Sequence, residues 1–313
     1  MKTALMLSIS TYMYIVFSAH LPCRAMLTCL RARSALARTA HRRCFGASHA
    51  ATDEIVSEAW RTASGARCRY YALRHGESEA NVAGVISSLP AVATKQHGLS
   101  AEGRRQAEAS GDAFAAALRR EHAAAAAAAS AAGAPPPPPR RVAIFASDFR
   151  RTAETAEAVL EALLRDDCGD DRGGGGGDGG GGAAAEVWRG GVQLREALRE
   201  RSFGELHGAS VDRYGEVWAE DALDAAHEVF GVESVRSVLR RSAALVAGIE
   251  HELLGGSGDG GDGGEGGWTV LLVAHGDVLQ IAQTAFARVD PTRHRELPHL
   301  ETAAVRELIV AGS

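Results

Sequence analysis

The chain has 313 residues, with 34 basic against 39 acidic, 46% hydrophobic and only 5% aromatic. Seven of the basic residues and none of the acidic ones fall within residues 1–52, so residues 53–313 carry a balance of −12. So acidic a body is a poor match for nucleic acid or an anionic membrane, although a local group of arginines can still grip a small anion.

In chain order, Lys2, Arg24, Arg31, Arg33, Arg38, Arg42 and Arg43 precede the first acid, Asp53. An acid-free, Arg-rich stretch with many Ala, Ser and Thr is expected to be a disordered targeting leader over 1–52. Within it, "ALMLSISTYMYIVFSA" (4–19) resembles the apolar core of a signal peptide. It is short of the roughly 20 apolar residues of a membrane span. A signal peptide followed by a transit peptide, addressed to a plastid or mitochondrion, fits both halves. A signal-anchor or secretory leader is the alternative, and only a signal-anchor would give a stable membrane partner. Untargeted disorder is the bland reading.

Residues 53–313 then read as one catalytic domain carrying surface insertions near 121–139, 168–185 and 255–267. These are runs of Ala and Pro, Gly and Asp, and Gly again, which bury too little apolar surface to offset their ordering entropy. The Ala tract can extend a helix, which the five prolines then end in an extended spacer. Without the insertions about 200 residues remain, the size of a single core.

The first expected strand is "CRYYAL" (68–73). Residues 100–122 read as a helix capped by Ser100. "RVAIFAS" (141–147) is a strand, and 149–166 repeats apolar residues at helical spacing. "WTVLLVAHG" (268–276) is a third strand, 278–287 a helix, and "AAVRELIV" (303–310) a closing strand. Alternating strands and helices, with strands apolar on both faces, predict an α/β fold. Its expected form is a three-layer α/β/α arrangement around a mostly parallel central sheet. Beyond the leader only Cys68 and Cys168 remain and no CxxC occurs, so neither a zinc site nor a disulfide framework is expected.

Sites in such sheets form at the carboxyl ends of the strands. Arg74 and His75 follow the first strand, Ser147 to Arg151 the second, and His275 and Gly276 the third. Two arginines and two imidazoles, with Asn81 and Ser78 nearby, suit a phosphoryl group, because guanidinium forks match phosphate oxygens. A neutral histidine can attack phosphorus, its tautomer set by a hydrogen bond at the other nitrogen. The leaving oxygen needs an acid, and Glu196, Glu200 and Glu205 all compete by chemistry alone. Arg150 is expected to be the solvated neighbour of Arg151. His97, His122, His207, His294 and His299 are expected at solvated or polar positions.

"LRHGESEAN" (73–81) resembles the R-H-G-x-x-x-x-N hallmark of the histidine phosphatase superfamily, the phosphoglycerate mutase-like proteins, branch 1. "GLSAEGRRQA" (98–107), "SDFRRTAETA" (147–156), "LRERSFGELHG" (198–208) and "VAHGDVLQI" (273–281) resemble its other segments, in order. The resemblance implies that His75 is the nucleophile and becomes phosphorylated. It implies that Arg74, Arg151, His275 and Asn81 hold the phosphoryl group. It implies Glu200 as the proton donor, and neither cofactor nor metal. Ser78 is expected either to touch the phosphate or to cap a turn.

The expected activity is hydrolysis of a small phosphorylated metabolite. A cofactor-dependent phosphoglycerate mutase is the alternative, and a weakly catalytic phospho-ligand binder is another. The segment 209–241 is acidic and has no paired arginines before Arg240 and Arg241, which suits hydrolysis. Asp277 is expected to point away from the phosphate or to meet a substrate hydroxyl. The choice of substrate is expected to lie in 209–241 and in the loop 84–97.

Overall fold

The computed structural model describes residues 46–167, 185–255 and 267–310. The expected leader up to residue 45, the glycine insertions at 168–184 and 256–266, and Cys168 lie outside the described residues. Contacts divide the chain into Met1–Ala51 and Thr52–Ser313, and the second unit carries the sheet.

Five strands form one sheet in the order β3-β2-β4-β1-β5. They are β1 (Arg69–Arg74), β2 (Arg140–Ala146), β3 (Ala185–Leu194), β4 (Trp268–Ala274) and β5 (Val305–Leu308). The first four run parallel, and β5 pairs antiparallel with β1 at the edge. Every residue of β4 is buried, as expected for a central strand covered on both faces.

Side-chain alternation along β4 builds the layers. Val270, Leu272 and Ala274 join Ala72, Phe145 and residues of α1 (Gly46–Ser64), α7 (Val235–Leu254) and α8 (Gly276–Ala287). Leu271 and Val273 face the other way, toward Ile144, Phe114 of α4 (Ala101–Ala131) and Val159 of α5 (Arg150–Asp167). The fold is therefore α/β/α, as expected. A third, smaller cluster of Ile86, Phe203, Leu206, Val217 and Val232 lies beyond the strand ends. It joins Ile86, between the short helices α2 (Glu79–Ala83) and α3 (Pro90–Ala93), to Val217 of α6 (Tyr214–Asp221).

Two elements differ from the sequence reading. Strand β3 went unforeseen, because its centre reads Arg-Gly-Gly and its register against β2 breaks between Val142 and Ile144. Residues 235–241 belong to α7, so Arg240 and Arg241 are not part of a cap. Arg240 is exposed, and Arg241 pairs with Glu233 at 2.9 Å. The Ala tract does continue α4, to Ala131, and the prolines after it are extended and largely exposed. Among the described residues, no helix is long and apolar enough to cross a membrane. Cys68 is a buried free thiol, its pKa pushed up by burial and then by Glu250.

Candidate active site

The sheet register sets the site. Arg74 lies opposite Ala274, and Ala146 opposite Val273, so β1, β4 and β2 end level with one another. The residues after the strand ends emerge side by side. The His75 N–H donates to Ala274 O at 3.0 Å, and the Ser147 N–H to Val273 O at 3.0 Å. The His75 and His275 rings meet edge to face at 5.2 Å between centroids.

A second element locks the turn after His75. Ser100, at the N-cap of α4, accepts from Gly103 N at 2.9 Å and donates to Glu77 Oε1 at 2.6 Å. The Ser100 N–H reaches Glu77 O at 2.9 Å, and Gln106 Oε1 accepts from Glu77 N at 2.9 Å. The backbones approach so closely that a Cβ on Gly76 would stand 2.4 Å from Gly103 O. Glycine at both positions is thus a packing requirement.

His75 is buried, and its Nδ1 lies 2.7 Å from Gly76 O. A carbonyl only accepts, so the proton is on Nδ1 and the Nε2 lone pair is available. Arg151 Nε donates to that Nε2 at 3.1 Å, and Arg151 Nη2 to Ser87 O at 3.0 Å. Burial first, then Arg151 and Arg74, hold the His75 pKa well below the ordinary value. His275 is likewise held neutral by burial, Arg151 and His75, and its Nε2 lies 3.1 Å from Ser147 Oγ. Burial lowers Arg151 to about 10, which still leaves it charged at neutral pH.

Three polar atoms around His75 are buried without a hydrogen-bond partner among the described residues: Arg74 Nε, Arg151 Nη1 and His275 Nδ1. Buried polar atoms are normally satisfied, so two unpartnered guanidinium N–H groups beside a neutral histidine mark an anion-binding place.

The three competing carboxylates separate by position. Glu196 is exposed and pairs with Arg199 at 2.8 Å, and Glu205 is exposed. Glu200 accepts from Arg201 N at 2.9 Å and feels the charges of Arg151 and Arg74. Burial, then Asp277, raise its pKa to about 7 against those two arginines. It is therefore partly protonated near neutrality.

Other expected residues lie elsewhere in the network. Ser78 and Asn81 form a capping box on α2: Ser78 N and Oγ both donate to Asn81 Oδ1, at 3.0 and 2.8 Å, and Ser78 Oγ accepts from Asn81 N. Asn81 is exposed, and the contacts of the Ser78 hydroxyl stay within the cap. Arg150 is the solvated arginine and pairs with Glu154 at 2.8 Å. Asp277 accepts from Trp218 Nε1 at 3.0 Å and Arg201 Nη1 at 3.1 Å. His294 lies at a polar position, though a fully buried one, its Nδ1 3.0 Å from Pro291 O and its Nε2 3.8 Å from Asp221. Arg201 lies in the "LRERSFGELHG" segment, but the sequence reading gave it no role. It is fully buried, with two 2.7 Å bonds to Asp221. Asp221, Asp277 and His294 come close enough to hold a cation, and the Arg201 guanidinium already lies against both carboxylates.

The description "Histidine phosphatase superfamily (branch 1)" matches residues 182–313, and "Histidine phosphatase superfamily (branch 2)" matches residues 81–183. The chain belongs to the histidine phosphatase superfamily. Its chemistry is thus that of a phosphatase or phosphoryl-transfer enzyme. The Arg74-His75-Gly76 turn precedes both matched spans, and the sheet register joins it to His275 within them. Curated proteins give no match. Solved structures similar to this histidine phosphatase superfamily chain include a "Mycobacterial hydrolase 1", 22% identical over 76% of this chain and 89% of that one, with a TM-score of 0.49. A mycobacterial glucosyl-3-phosphoglycerate phosphatase is 22% identical over 76% of this chain and 88% of that one, TM-score 0.47. A phosphoserine phosphatase mutant from Entamoeba histolytica is 16% identical over 76% and 88%, TM-score 0.44.

Proposed function

We propose that the chain is a phosphomonoesterase that hydrolyses a small phosphorylated metabolite through a phosphohistidine on His75. The observation that carries this reading is the neutral His75, its proton fixed on Nδ1, set among two unpartnered guanidinium donors and the unpartnered Nδ1 of His275. Arg74 and Arg151 supply the positive charge that a metal ion would otherwise provide. His75 Nε2 forms a bond to phosphorus as the phosphorus–oxygen ester bond breaks. The departing oxygen takes the proton of Glu200. The Glu200 carboxylate then accepts a proton from water, whose oxygen displaces His75 and releases inorganic phosphate.

Hydrolysis is favoured over mutase transfer by the state of the cations in and just before the segment 209–241. Arg199 pairs with Asp148, Arg201 with Asp221 and Asp277, and Arg213 with Glu216. A mutase has to hold a second anionic group while its intermediate reorients, and these cations already face carboxylates.

The test assays the purified chain against p-nitrophenyl phosphate, sugar phosphates and 3-phosphoglycerate, with acid-quench trapping. An acid-labile phosphoenzyme, lost in His75→Ala, is expected. No turnover on any ester, with no trapped phosphoenzyme, would sink the reading. Interconversion of phosphoglycerates that needs a bisphosphate would replace it with the mutase.

A further inference from the structure

Arg74 is held by a histidine outside the motif set. Its Nη1 donates to Leu300 O at 3.0 Å and lies 2.9 Å from His299 Nε2. An arginine can only donate, so His299 Nε2 accepts and the ring proton sits on Nδ1. That Nδ1 faces Gln280 Oε1 at 3.3 Å. The amide is oriented at its other end, where Gln280 Nε2 donates to Leu297 O at 2.8 Å. Arg295 donates to the same Gln280 Oε1. The pair rests on the first turn of α8, since a Cβ on Gly276 would stand 3.5 Å from both Arg74 Nε and His299 Cε1. With Nη1 engaged in this way, Arg74 Nε is a buried donor left unpartnered among the described residues.

We propose that His299 is the positioning residue of Arg74, holding its guanidinium so that Nε is left for the substrate phosphate, and that it does so only as the neutral Nδ1–H tautomer. The proposal deepens the phosphatase reading and rests on it. Protonation would set an N–H of His299 against the N–H of Arg74, replacing a hydrogen bond with repulsion between cations. The groups facing His299 are Arg74 from β1, Arg295 from the turn after α8, Asp277 and Gln280 from α8, and Glu301 beside it. Burial, then Arg74 and Arg295, keep the ring below the ordinary histidine range against the opposing pull of Glu301 and Asp277.

The experiment measures inhibition by inorganic phosphate in the full chain, in His299→Leu and in His299→Gln, from pH 5 to 8. At pH 7.5 the leucine variant is expected to raise the phosphate Ki about tenfold, the scale of one charged hydrogen bond. The glutamine variant, whose carboxamide oxygen can accept from Arg74, is expected to recover most of that loss. On acidification the wild-type Ki should weaken more than that of the glutamine variant, because glutamine does not titrate. The difference between the two profiles cancels the titration of phosphate itself. An unchanged Ki in the leucine variant overturns the proposal, and so do parallel pH profiles for wild type and the glutamine variant. If the leucine variant does not fold, the second comparison alone decides. If the unaltered chain binds no phosphate, the phosphatase reading fails and this proposal falls with it.

Discussion

Glu200 stands between opposing influences. Burial and the nearby charge of Asp277 favour its neutral form, while Arg151 and Arg74 favour the carboxylate, and the balance lies at about 7. A general acid must be protonated to work, so kcat/KM should fall as pH rises through that value. Removing the charge of Asp277 removes one of the raising influences. The alkaline limb of the kcat/KM profile in Asp277→Asn is therefore expected to move to lower pH, read from rates on an alkyl phosphate. A limb that stays in place or moves up would show that Asp277 does not act on the acid. Glu200→Gln should cut kcat on the same ester by about 10²–10⁴-fold, and far less on p-nitrophenyl phosphate, whose leaving group needs little protonation. At this scale the sequence showed the reacting side chains, because motif spacing delivers His75, Arg151 and His275 to strand ends. It did not show what Ser78 and Asn81 bind. Their three-residue spacing is also that of a capping box, and only the geometry shows that contact made. The burial of Arg201 was not readable from its motif segment, because it depends on Asp221 and Asp277 from other parts of the chain.

Among the elements, α4 acts on the nucleophile without reaching it. Its first turn clamps Gly76 and Glu77 through Ser100, Gly103 and Gln106. A Cβ on Gly103 would fall 1.9 Å from Glu77 O, a backbone atom that cannot swing aside. Gly103→Ala is expected to destabilise the chain by about 1–3 kcal/mol or more, measured by urea unfolding, and to lower kcat as the His75 turn shifts. Ser100→Ala should lose about 1 kcal/mol of cap energy while sparing that backbone contact, so its loss of activity should be smaller. Equal loss of kcat in both would argue against the clamp. The start of α4 was readable from Ser100 as its N-cap. Strand β3 was not, since a pair of glycines at its centre carries neither alternation nor β-propensity, and pairing with β2 supplies what local preference lacks.

Across the whole molecule, the chemistry puts ionisable groups in places where charge is disfavoured. His75, His275 and His294 are buried with pKa values lowered chiefly by burial. The unfolded chain binds protons at these groups near pH 6.5, whereas the folded chain does so only at lower pH. Stability is thus full above about 6.5 and declines as pH falls from there toward the folded values. Thermal unfolding from pH 8 to 5 should show Tm dropping mainly below pH 6.5, and a flat Tm across that range would contradict the buried neutral state. The Arg201 network is a second global constraint. Arg201→Met strands Asp221 and Asp277 without their cation, and a loss of about 3–5 kcal/mol in chemical denaturation is expected. The layer order of the fold was legible because apolar strands and helices alternate. The ionic centre was not: Arg201 and Asp277 lie in motif segments whose spacing says nothing of their pairing, and Asp221 and His294 carry no pattern.

Helix α4 runs 31 residues, but its buried positions end at Leu118. From Ala123 to Ala131 most residues are exposed, and the helix there is sustained chiefly by its own backbone bonds. One continuous helix should then keep two clocks in deuterated water. Amides between Gly103 and Leu118 should exchange only when the whole layer opens, while those past Ala123 should exchange by fraying from the proline end, orders of magnitude sooner.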